Sequence, residues 1–438
     1  MKILIVGNGA REHAIASALS KSQQKPKLYA FMNAKNPGIT RLCVGFKVGD
    51  ISDAKAISDY AVNEKIHFAI IGPEAPLASG IADKLERQGI GCVGPRKAAA
   101  QIETDKAFAR NLMKKYNIPG VPEFKVFTDA SEAVKFIKDS KKEWAIKPAG
   151  LTGGKGVKIM GEHLNSLPEI EDYIKRVLKS DRVVIEEKLI GEEFTIQAFV
   201  DGKTLIGTPM VQDHKRAHEG DVGPNTGGMG SYSGTGPVLP FLTQEDYDFG
   251  IKVMKQVVVA IKDETNSEYK GFLYGQFIAG KGDPMVIEFN ARLGDPEAMN
   301  ILSILETDFA EVCKNMISGK IKDKNLKFKN KATVCKYLVP AGYPENPKSN
   351  QRITVDEEKI NELGALVYYA AVNDENGKVY TSSSRAVGIV GVADTISDAE
   401  KIAEQAVGCV KGDVIHRKDI GTDALIRKRI KHMKTLRG

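Results

Sequence analysis

The stretch KPAGLTGGKGVKIM, residues 147–160, contains four glycines within seven residues and lysines on both sides of them. A P-loop would need glycine at 149 and Ser or Thr at 156, where this chain has Ala149 and Gly156. The short apolar run after the loop favours a strand over a helix. The stretch therefore predicts two strands joined by a glycine loop whose amides, with Lys147 and Lys155, can cover a phosphate chain. A plain hairpin turn is the alternative.

Upstream of this loop, residues 1–100 alternate short apolar runs with helical patterns. The runs KILIV, KLYAF, HFAIIG and IGCVG are separated by segments such as EHAIASALSK and GIADKLERQG. This alternation predicts parallel βαβ units with helices on both faces of one sheet. Ligands of such sheets bind at the carboxyl ends of the strands. A Rossmann-like α/β substrate domain is therefore expected over residues 1–102.

The turn GNGARE, residues 7–12, follows the first strand and opens a helix. It is similar to a dinucleotide-binding fingerprint, but the second strand runs into Met32 and Asn33 without the acidic residue that binds ribose. This disfavours a dinucleotide-binding oxidoreductase. Helix amides together with Arg11 suit a small phosphorylated substrate better. A tight turn without a ligand is the alternative.

Downstream, the stretch VIEFNARLGDPE, residues 286–297, has the period of a strand. Alternate residues share a face, which places Glu288, Asn290 and Arg292 on one side and Ile287, Phe289 and Ala291 on the other. Carboxylate and amide oxygens suit Mg²⁺, with phosphates and water completing the shell, and a guanidinium can clamp an anion in bidentate fashion. Because the neighbouring run GFLYGQFIAG is strongly apolar, the strand is expected to be central in its sheet. A solvated edge strand is the alternative.

Two further stretches lie between these. VVIEEKLIGEEFT, residues 183–195, predicts two strands around a short hinge that can hold adenine, with Glu193 accepting from ribose hydroxyls. A solvated acidic strand end is the alternative. QDHKRAHEGDVGPNTGGMG, residues 212–230, shows no helical or strand period, and long unpatterned loops in compact domains are usually functional. His214 and His218 are spaced four apart, but the surrounding glycines disfavour the helix that would make them a metal pair.

The composition narrows the class of protein. The 438 residues include 63 basic and 56 acidic side chains, so the net charge is +7 and gives little support for nucleic-acid binding. The five cysteines show no CxxC spacing, which argues against a zinc site or a disulfide framework and for a reducing compartment. No run approaches the ~18 apolar residues of a membrane span. A cytoplasmic protein is expected, as a monomer, with a dimer as the alternative.

Taken together, the motifs define a resemblance that covers nearly the whole chain. They are GNGAREHA (7–14), GPEAPL (72–77), TDKAFAR (104–110), GLTGGKGV (150–157), EEKLIGEEFT (186–195), QDHKRAHEGDVGPNTGGMGSYS (212–233), EFNARLGDPE (288–297) and RKDIG (417–421). In this order they resemble the ATP-grasp ligases, and among these the phosphoribosylamine–glycine ligase family. The stretches at 212–233 and 288–297 are the specific ones, since the glycine loop alone would indicate only an ATP-grasp fold.

The resemblance implies a mixed α/β ATP-grasp fold with four domains: an amino-terminal substrate domain at 1–102, a central ATP-grasp domain at 103–120 and 186–328, a lid at 121–185, and a carboxy-terminal α/β domain at 329–438. It also implies a reaction. ATP phosphorylates the glycine carboxylate, the amine of 5-phosphoribosylamine attacks the acyl phosphate, and ADP and phosphate leave. No enzyme nucleophile is expected.

The resemblance further implies roles for individual residues. ATP phosphates would be held by Lys106, Lys147, Gly153, Gly154, Lys155 and Gly156, and adenosine by Glu187, Leu189 and Glu193. Mg²⁺ or Mn²⁺ would be bound by Glu288 and Asn290. The reacting groups would face Asp213, Lys215, Asn225, Arg292 and Asp295, with Asp213 taking the glycine ammonium. The phosphoribosylamine site would be lined by Asn8, Gly9, Arg11, Glu12, Pro73 and Glu74, with Arg385 reaching the 5-phosphate.

The chain departs from the family pattern at several positions. Ser383 and Ser384 stand where two glycines usually precede the arginine, which puts the backbone part of that phosphate contact in question. Leu293, Met299 and Ala149 replace a common phenylalanine, glutamine and aspartate. The rival functions are another ATP-grasp carboxylate–amine ligase, a carboxylating purine enzyme and a non-catalytic nucleotide sensor. Of these, only the sensor would not need the polar strand face at 288–292.

Overall fold

The computed structural model describes residues 1–153, 156–322 and 326–438 of the chain. A parallel sheet at the amino terminus is followed by antiparallel sheets with helices packed on them. The mixed α/β class predicted from the sequence is therefore confirmed. Within the described ranges, no helix is both long enough and apolar enough to cross a membrane.

The amino-terminal unit is a doubly wound parallel sheet. Its elements are β1 (Lys2–Val6), α1 (Ala10–Ser20), β2 (Lys27–Met32), α2 (Pro37–Thr40), β3 (Gly45–Val48), α3 (Ala54–Asn63), β4 (Phe68–Ile71), α4 (Glu74–Ala78), α5 (Ile81–Arg87), β5 (Gly91–Val93) and α6 (Lys97–Thr104). The strands lie in the order β3-β2-β1-β4-β5. Residues Ile3 to Val6 of β1 are fully buried, as expected for a central strand with helices on both faces.

The turn after β1 is built by close approach of the backbone to one carboxylate. Gly7 has φ +117°, a conformation that favours glycine. The Gly9 amide donates to Oε2 of Glu12 at 2.6 Å, and a Cβ on Gly72 would lie 1.9 Å from Oε1 of the same residue. The glycines at these positions therefore serve to admit the Glu12 side chain under the start of α1.

Helix α7 (Lys106–Lys115) leads out of this unit, and a smaller unit with its own core follows it. That unit consists of β6 (Phe124–Phe127), α8 (Ala130–Ser140), β7 (Trp144–Pro148), β8 (Lys158–Ile159), α9 (Leu167–Leu178) and β9 (Val183–Glu187). The antiparallel order is β6-β9-β7-β8. The two strands predicted at 147–160 are thus observed as β7 and β8, which pair with each other, whereas residues 154 and 155 between them lie outside the described residues. Trp144, which is fully buried, anchors the separate core of this lid.

A large antiparallel sheet and the helices beside it form the centre of the molecule. The elements are β10 (Glu192–Asp201), β11 (Leu205–Gly207), β12 (Val211–Asp213), β13 (Arg216–His218), β14 (Val222–Asn225), β15 (Gly230–Ser233), α10 (Gln244–Thr265), β16 (Lys270–Ala279), β17 (Met285–Asn290), α11 (Glu297–Ile304) and α12 (Phe309–Ser318). β10 and β16 pair over ten residues, and Phe194 stacks on Phe277 across them at 5.4 Å.

The last part of the chain extends this sheet. Its elements are β18 (Ala332–Pro340), β19 (Arg352–Val355), α13 (Glu357–Glu362), β20 (Leu366–Tyr369), β21 (Val372–Glu375), β22 (Lys378–Thr381), β23 (Val387–Ala393), α14 (Ile396–Val407), β24 (Val410–Lys411), β25 (Val414–Ile415) and α15 (Asp423–Arg437). The main order of the large sheet is β17-β16-β10-β12-β15-β18-β23-β20, so strands of the central and terminal parts share one sheet.

The segment 212–230 differs from the long loop predicted from the sequence. β13 and β14 pair as a short hairpin that turns through Gly220 and Asp221, both with positive φ. Arg417 holds this hairpin by donating to the Arg216 carbonyl at 3.0 Å and pairing with Asp221 at 3.0 Å. These two strands have no alternating apolar residues, and a charged segment far away in the chain stabilises them. The local pattern therefore did not predict them.

The strand with the polar face, β17, also differs from its predicted position. It lies at the edge of the large sheet, paired with β16 alone among the described strands. Its free edge is covered by polar groups instead of a further strand: the Gly120 carbonyl accepts from the Val286 amide at 2.7 Å, and Arg110 donates to the Val286 and Ile287 carbonyls. The apolar sequence of the neighbouring strand predicted that the edge of β17 is covered, but not whether a further strand or polar groups cover it.

A bulge in β17 changes one side-chain assignment. The register passes from Gln276 opposite Glu288 to Phe277 opposite Val286, which leaves Ile287 as the extra residue. Val286 and Phe289 therefore both pack in the core, whereas Ile287, predicted on the apolar face, lines the cleft. Glu288 and Asn290 keep the orientation predicted for them because both follow the bulge.

Candidate active site

A cavity of about 710 Å³ lies between the lid, the large sheet and the carboxyl ends of the amino-terminal strands. Residues predicted from the sequence that line it are Arg11, Pro73, Glu74, Lys106, Lys147, Gly153, Glu187, Leu189, Glu193, Asp213, Lys215, Asn225, Glu288, Asn290, Arg292, Asp295 and Arg385. Among the described candidates, Asn8, Gly9, Glu12 and Gly156 are not part of its lining. Gly154 and Lys155 lie outside the described residues.

Glu288 and Asn290 project from β17 into the middle of the cavity. The Asn290 amide nitrogen donates to Glu288 Oε1 at 3.4 Å. Burial alone would raise the pKa of Glu288, but the charges of Lys215 and Lys106 lower it below its usual range. The site therefore contains an ionised carboxylate next to an amide whose nitrogen faces that carboxylate and whose oxygen accepts from Arg292. This hard-oxygen donor set fits Mg²⁺ or Mn²⁺.

Arg292 follows these two residues and is held by carboxylates from the amino-terminal unit. Its Nη2 lies 3.1 Å from Oε1 of Glu103, and its Nε lies 3.6 Å from Oε2 of Glu74. The other oxygen of Glu103 accepts from the Ala291 amide at 2.7 Å. Burial would lower the pKa of Arg292, but Glu103 and Glu74 raise it, so the guanidinium stays charged. Arg292 also donates to Asn290 Oδ1 at 3.1 Å, which orients that amide.

The two lysines assigned to phosphate stand at the lid side of the cavity. Lys147, at the end of β7, lies 2.5 Å from Glu186, and Lys106, at the start of α7, donates to the Gly150 carbonyl at 2.9 Å. Glu186 is also paired with Arg110 at 2.7 Å. Burial opposes ionisation of Glu186, yet the charges of Arg110 and Lys147 lower its pKa to about 2. Lys147 is therefore fixed against a permanently charged carboxylate.

A pair of carboxylates marks the opposite wall. Asp213, at the end of β12, accepts from the His214 amide at 2.7 Å, and Glu297, at the start of α11, accepts from the Tyr274 hydroxyl at 2.8 Å. Burial, together with the charge of Glu297, raises the pKa of Asp213 well above its usual range. A cation entering between them would restore the ionised form, which suits an ammonium group.

Arg385 closes the cavity beside the glycines of the 212–230 segment. Its Nη1 donates to the carbonyls of Gly227 at 2.6 Å and Asp295 at 2.9 Å, and its guanidinium lies over the Tyr337 ring at 4.6 Å. The Tyr337 hydroxyl in turn donates to the Asp295 carboxylate. Nη1 thus holds the loop, whereas Nε and Nη2 form no hydrogen bond with the described residues and could meet an anion.

Arg11 and Glu12 form a pair at the start of α1. Arg11 donates to Glu12 at 2.6 Å and to the Leu293 carbonyl at 3.1 Å. Glu12 is buried and also accepts from the Gly9 amide, so both of its carboxylate oxygens have hydrogen-bond partners beneath the turn. The Asn8 carbonyl accepts from the Asn36 amide at 2.8 Å. Arg11 brings the amino-terminal unit into contact with the stretch that follows β17.

The hinge between β9 and β10, predicted to hold adenosine, lines another part of the cavity. Oε1 of Glu187 accepts from the amide of Glu123, the residue before β6, at 3.1 Å, which ties the start of the hinge to that segment. Leu189 lies in the cavity wall next to it, and Glu193 exposes its carboxylate toward the same space.

Several residues of the site were not predicted from the sequence: Glu103, Arg110, Glu186, Gln276 and Glu297. Glu103 lies on the buried face of α6 with Ala99, Ala100 and Ile102. A carboxylate on the apolar face of a predicted helix indicates a buried charged partner, because charged groups are seldom buried without one. This pattern could have identified Glu103. Arg110 and Glu186 lie inside the motifs at 104–110 and 186–195, but nothing local shows that they pair across 76 residues.

His214 follows Asp213 in the chain, and its buried imidazole is expected to make the stability of the folded protein depend on pH. In the described part of the chain neither ring nitrogen has a hydrogen-bond partner, and burial lowers the pKa of the imidazole to about 3. The unfolded chain takes up this proton below pH 6.5, so the free energy of unfolding is expected to fall by about 1.4 kcal/mol per unit as the pH drops from 6.5 toward 3.

The variant His214→Leu is expected to remove this slope, because leucine has no proton to gain. Urea unfolding of the variant and of the unmodified protein at pH 6.5 and 5 measures the difference directly, since other titrating groups cancel. His67→Gln, at an exposed histidine, serves as the control and should leave the slope unchanged. Equal slopes for His214→Leu and the unmodified protein would contradict the buried neutral state.

The fold and the site together define an ATP-grasp ligase: a lid sheet and a large antiparallel sheet enclose lysines and an acid–amide pair, beside a parallel-sheet domain. Family models match along the chain as phosphoribosylglycinamide synthetase N domain (1–103), ATP-grasp (A) domain (104–298) and C domain (333–423). The chain belongs to the phosphoribosylglycinamide synthetase family.

Individual proteins agree with this assignment. The chain is 53% identical to the phosphoribosylamine–glycine ligase of Methanosarcina barkeri and 52% identical to that of Methanocaldococcus jannaschii, over the full length of each pair. The crystal structure of phosphoribosylamine–glycine ligase from Thermotoga maritima superposes with a TM-score of 0.80 at 29% identity, covering 96% of this chain and all of that one. A biotin carboxylase domain from Hydrogenobacter thermophilus, at 17% identity and a TM-score of 0.71, shares the fold.

Proposed function

We propose that this protein joins glycine to 5-phosphoribosylamine at the expense of ATP, giving glycinamide ribonucleotide, ADP and phosphate. One observation supports the proposal: the same cavity is lined by Lys106 and Lys147, by Glu288 and Asn290, by Arg292, and by Asp213 and Glu297. These are the groups needed to hold a nucleotide and to receive an amino acid whose ammonium is positive and whose carboxylate reacts.

The chain's own residues act by positioning and by neutralising charge, which suits a phosphoryl transfer without an enzyme nucleophile. Lys106 and Lys147 face the phosphates of ATP. Asp213 binds the glycine ammonium, and Arg292 orients the glycine carboxylate toward the γ-phosphate. Lys215 and Asn225 contact the reacting groups from the 212–230 segment. The acyl phosphate formed from glycine is then attacked by the amine of phosphoribosylamine.

A divalent cation has a place in this scheme. Glu288 and Asn290 would hold Mg²⁺ or Mn²⁺, and the ion would neutralise charge on the β- and γ-phosphates. Support comes from the charged state of Glu288 and from the oxygen donors, which suit hard cations. Arg292 holds the Asn290 amide by its oxygen, so binding would require this amide to exchange that contact for the ion.

Phosphoribosylamine is placed at the junction of the amino-terminal unit with the cavity. Arg11, Pro73 and Glu74 line this side, and the free edge of Arg385 is the proposed contact for the 5-phosphate. We also propose that the protein is a monomer. The five free cysteines support a reducing, cytoplasmic location.

The test is an ADP-release assay in which phosphoribosylamine is generated from ribose 5-phosphate and ammonia. ADP formation is expected to require glycine, ribose 5-phosphate and ammonia together, and the product is expected to be the glycine amide by mass spectrometry. ADP released equally well without glycine, or with another amino acid in its place, would refute the specificity.

A further inference from the structure

A buried arginine outside the cavity connects the carboxy-terminal segment with the hairpin of β13 and β14. Arg417 is 1% exposed and is not part of the cavity lining. Its Nη1 donates to the Arg216 carbonyl at 3.0 Å, and its Nη2 lies 3.0 Å from the Asp221 carboxylate. Asp419 accepts from Nε at 2.9 Å and from Nη2 at 2.7 Å. The planar guanidinium therefore contacts the base of the hairpin and its turn at once, which a single ammonium could not do.

The segment 417–419 that carries this arginine is itself fixed on the body of the protein. Lys336 of β18 is fully buried, donates to the Lys418 carbonyl at 2.9 Å and is paired with two carboxylates of α14 at 2.6 Å. On the other side, Asp419 accepts from the Gly220 amide in the turn of the hairpin at 2.9 Å. The segment is therefore a fixed support against which the hairpin rests.

The hairpin in turn places two of the residues assigned to the reacting groups. Lys215 immediately precedes β13, and Asn225 is the last residue of β14. Asn225 pairs with Arg216 across the hairpin, and the Thr226 amide donates to the Lys215 carbonyl at 2.7 Å. Both Lys215 and Asn225 line the cavity. The carbonyl that Arg417 holds thus belongs to the residue next to Lys215 and opposite Asn225.

The hairpin has little apolar contact of its own. Of the residues in β13 and β14, all of which the structure describes, only Ala217 is buried. Its polar contacts come from outside, since Arg417 and Arg429 both pair with Asp221, at 3.0 Å and 2.5 Å. Because apolar burial is the dominant favourable contribution to folding, a hairpin with so little of it depends on these contacts for its position. Loss of the guanidinium is expected to let the hairpin shift while the large sheet stays folded.

We propose that Arg417 is a positioning residue for the reaction, which fixes the hairpin so that Lys215 and Asn225 meet glycine and the γ-phosphate in the correct geometry. This inference rests on the proposed function. It predicts a slower chemical step with nucleotide binding retained, because the hydrogen bonds of Lys106 and Lys147 go to other parts of the chain. A residue that only stabilised the fold would lower the fraction of active protein and leave kcat per nucleotide site unchanged.

The experiment compares three variants. Arg417→Lys keeps the charge but loses the fork, and Asp419→Asn weakens the same network from its carboxylate side. Arg437→Lys is the matched control, because this arginine also belongs to the carboxy-terminal part, and its fork pairs with Asp246 at 2.7 Å and donates to the Gly280 carbonyl, away from the hairpin. Calorimetry measures the affinity and the number of sites for ADP. ADP release measures kcat per site and the KM values for glycine and ATP.

Arg417→Lys is expected to lower kcat per ADP site by about 30-fold, within the range of about 10²-fold that a displacement of about 1 Å can cause. Its affinity for ADP is expected to stay within about twofold of normal. Asp419→Asn is expected to lower kcat about fivefold, and Arg437→Lys to retain it. The loss caused by Lys215→Met is expected to be at least about threefold smaller in the Arg417→Lys background, because a displaced lysine has less to contribute.

A normal kcat per site in Arg417→Lys would overturn the inference, as would an equal loss in Arg437→Lys. The same holds if the losses from Arg417→Lys and Lys215→Met simply multiply. Where Arg417→Lys does not fold, Asp419→Asn is judged by the same criteria. If the unmodified protein shows no glycine-dependent ADP release, the proposed function is refuted and this inference with it. An active unmodified protein beside an equally active Arg417→Lys refutes the inference alone, so the two failures are distinguishable.

Discussion

Replacing Glu288 with glutamine is expected to lower glycine-dependent ADP release by about 10³-fold, the scale on which loss of a preorganised charge acts in a closed site. The side chain keeps its size but loses the charge that the nearby lysines stabilise. Two consequences combine. The cation expected at Glu288 and Asn290 loses its anionic ligand, and Lys215 and Lys106 lose the negative charge between them. Steady-state ADP release at saturating glycine, repeated over a series of Mg²⁺ concentrations, measures both.

The matched control is Glu264→Gln, which removes a carboxylate that is paired with Lys115 at 2.5 Å on the outer surface of the molecule. Exposed pairs of this kind contribute little, so its rate is expected to match that of the unmodified protein. Turnover of Glu288→Gln within threefold of normal, at the same Mg²⁺ requirement, would remove Glu288 from the metal site. A large loss of rate in both variants would indicate general damage.

The amino-terminal sheet and the glycine loop could be predicted because their evidence is local. Apart from Lys2 and Lys27 at the starts of β1 and β2, the runs that become β1, β2, β4 and β5 carry no charged residue, as expected for strands buried on both faces, and helical patterns separate them. The strand–loop–strand arrangement at 147–160 was equally local, since it depended on Ala149 and Gly156 failing the P-loop pattern.

Other features could not be predicted because the stabilising partner is far away in the chain. The hairpin of β13 and β14 depends on Arg417, and the edge of β17 is sealed by Arg110 and Gly120. The periodicity of a strand also assumes an unbroken register. The bulge at Ile287 breaks the register. Because the bulge arises from the pairing of β17 with β16, the alternation within β17 alone does not reveal it.

The candidate site shows the same division. Glu288, Asn290 and Arg292 could be selected as a group because they alternate on one strand. Their charged partners could not, since Glu103 comes from a helix of the amino-terminal unit and Lys215 from the segment after β12. Glu103 was missed because it stands alone among apolar neighbours, whereas Glu186 and Glu297 were missed although they lie next to or near polar residues that were selected.

Replacing Arg292 with lysine is expected to lower kcat about 10²-fold with little change in the KM for ATP. Lysine keeps the charge but loses the planar fork that contacts several acceptors at once. In the structure this fork reaches Glu103 at 3.1 Å, Asn290 at 3.1 Å and Glu74 at 3.6 Å. A single ammonium cannot satisfy all three, so both the amide of the metal face and the clamp on the glycine carboxylate would lose their fixed position. Initial rates over ATP and glycine concentrations separate kcat from each KM.

A second variant tests whether Arg292 depends on its ion pair with Glu103. Glu103→Gln alone is expected to lower kcat about tenfold, because Arg292 would lose one of its two carboxylates, and the double variant is expected to be little worse than Arg292→Lys. Such non-additivity is the signature of residues in one network. Arg96→Lys is the control, an exposed arginine paired with Glu86 at 2.5 Å near the same unit, and its rate is expected to be normal. If Arg292→Lys were equally active, or if the two losses simply multiplied, the guanidinium would act independently of Glu103, and the polar face of β17 would need another explanation for its buried charge.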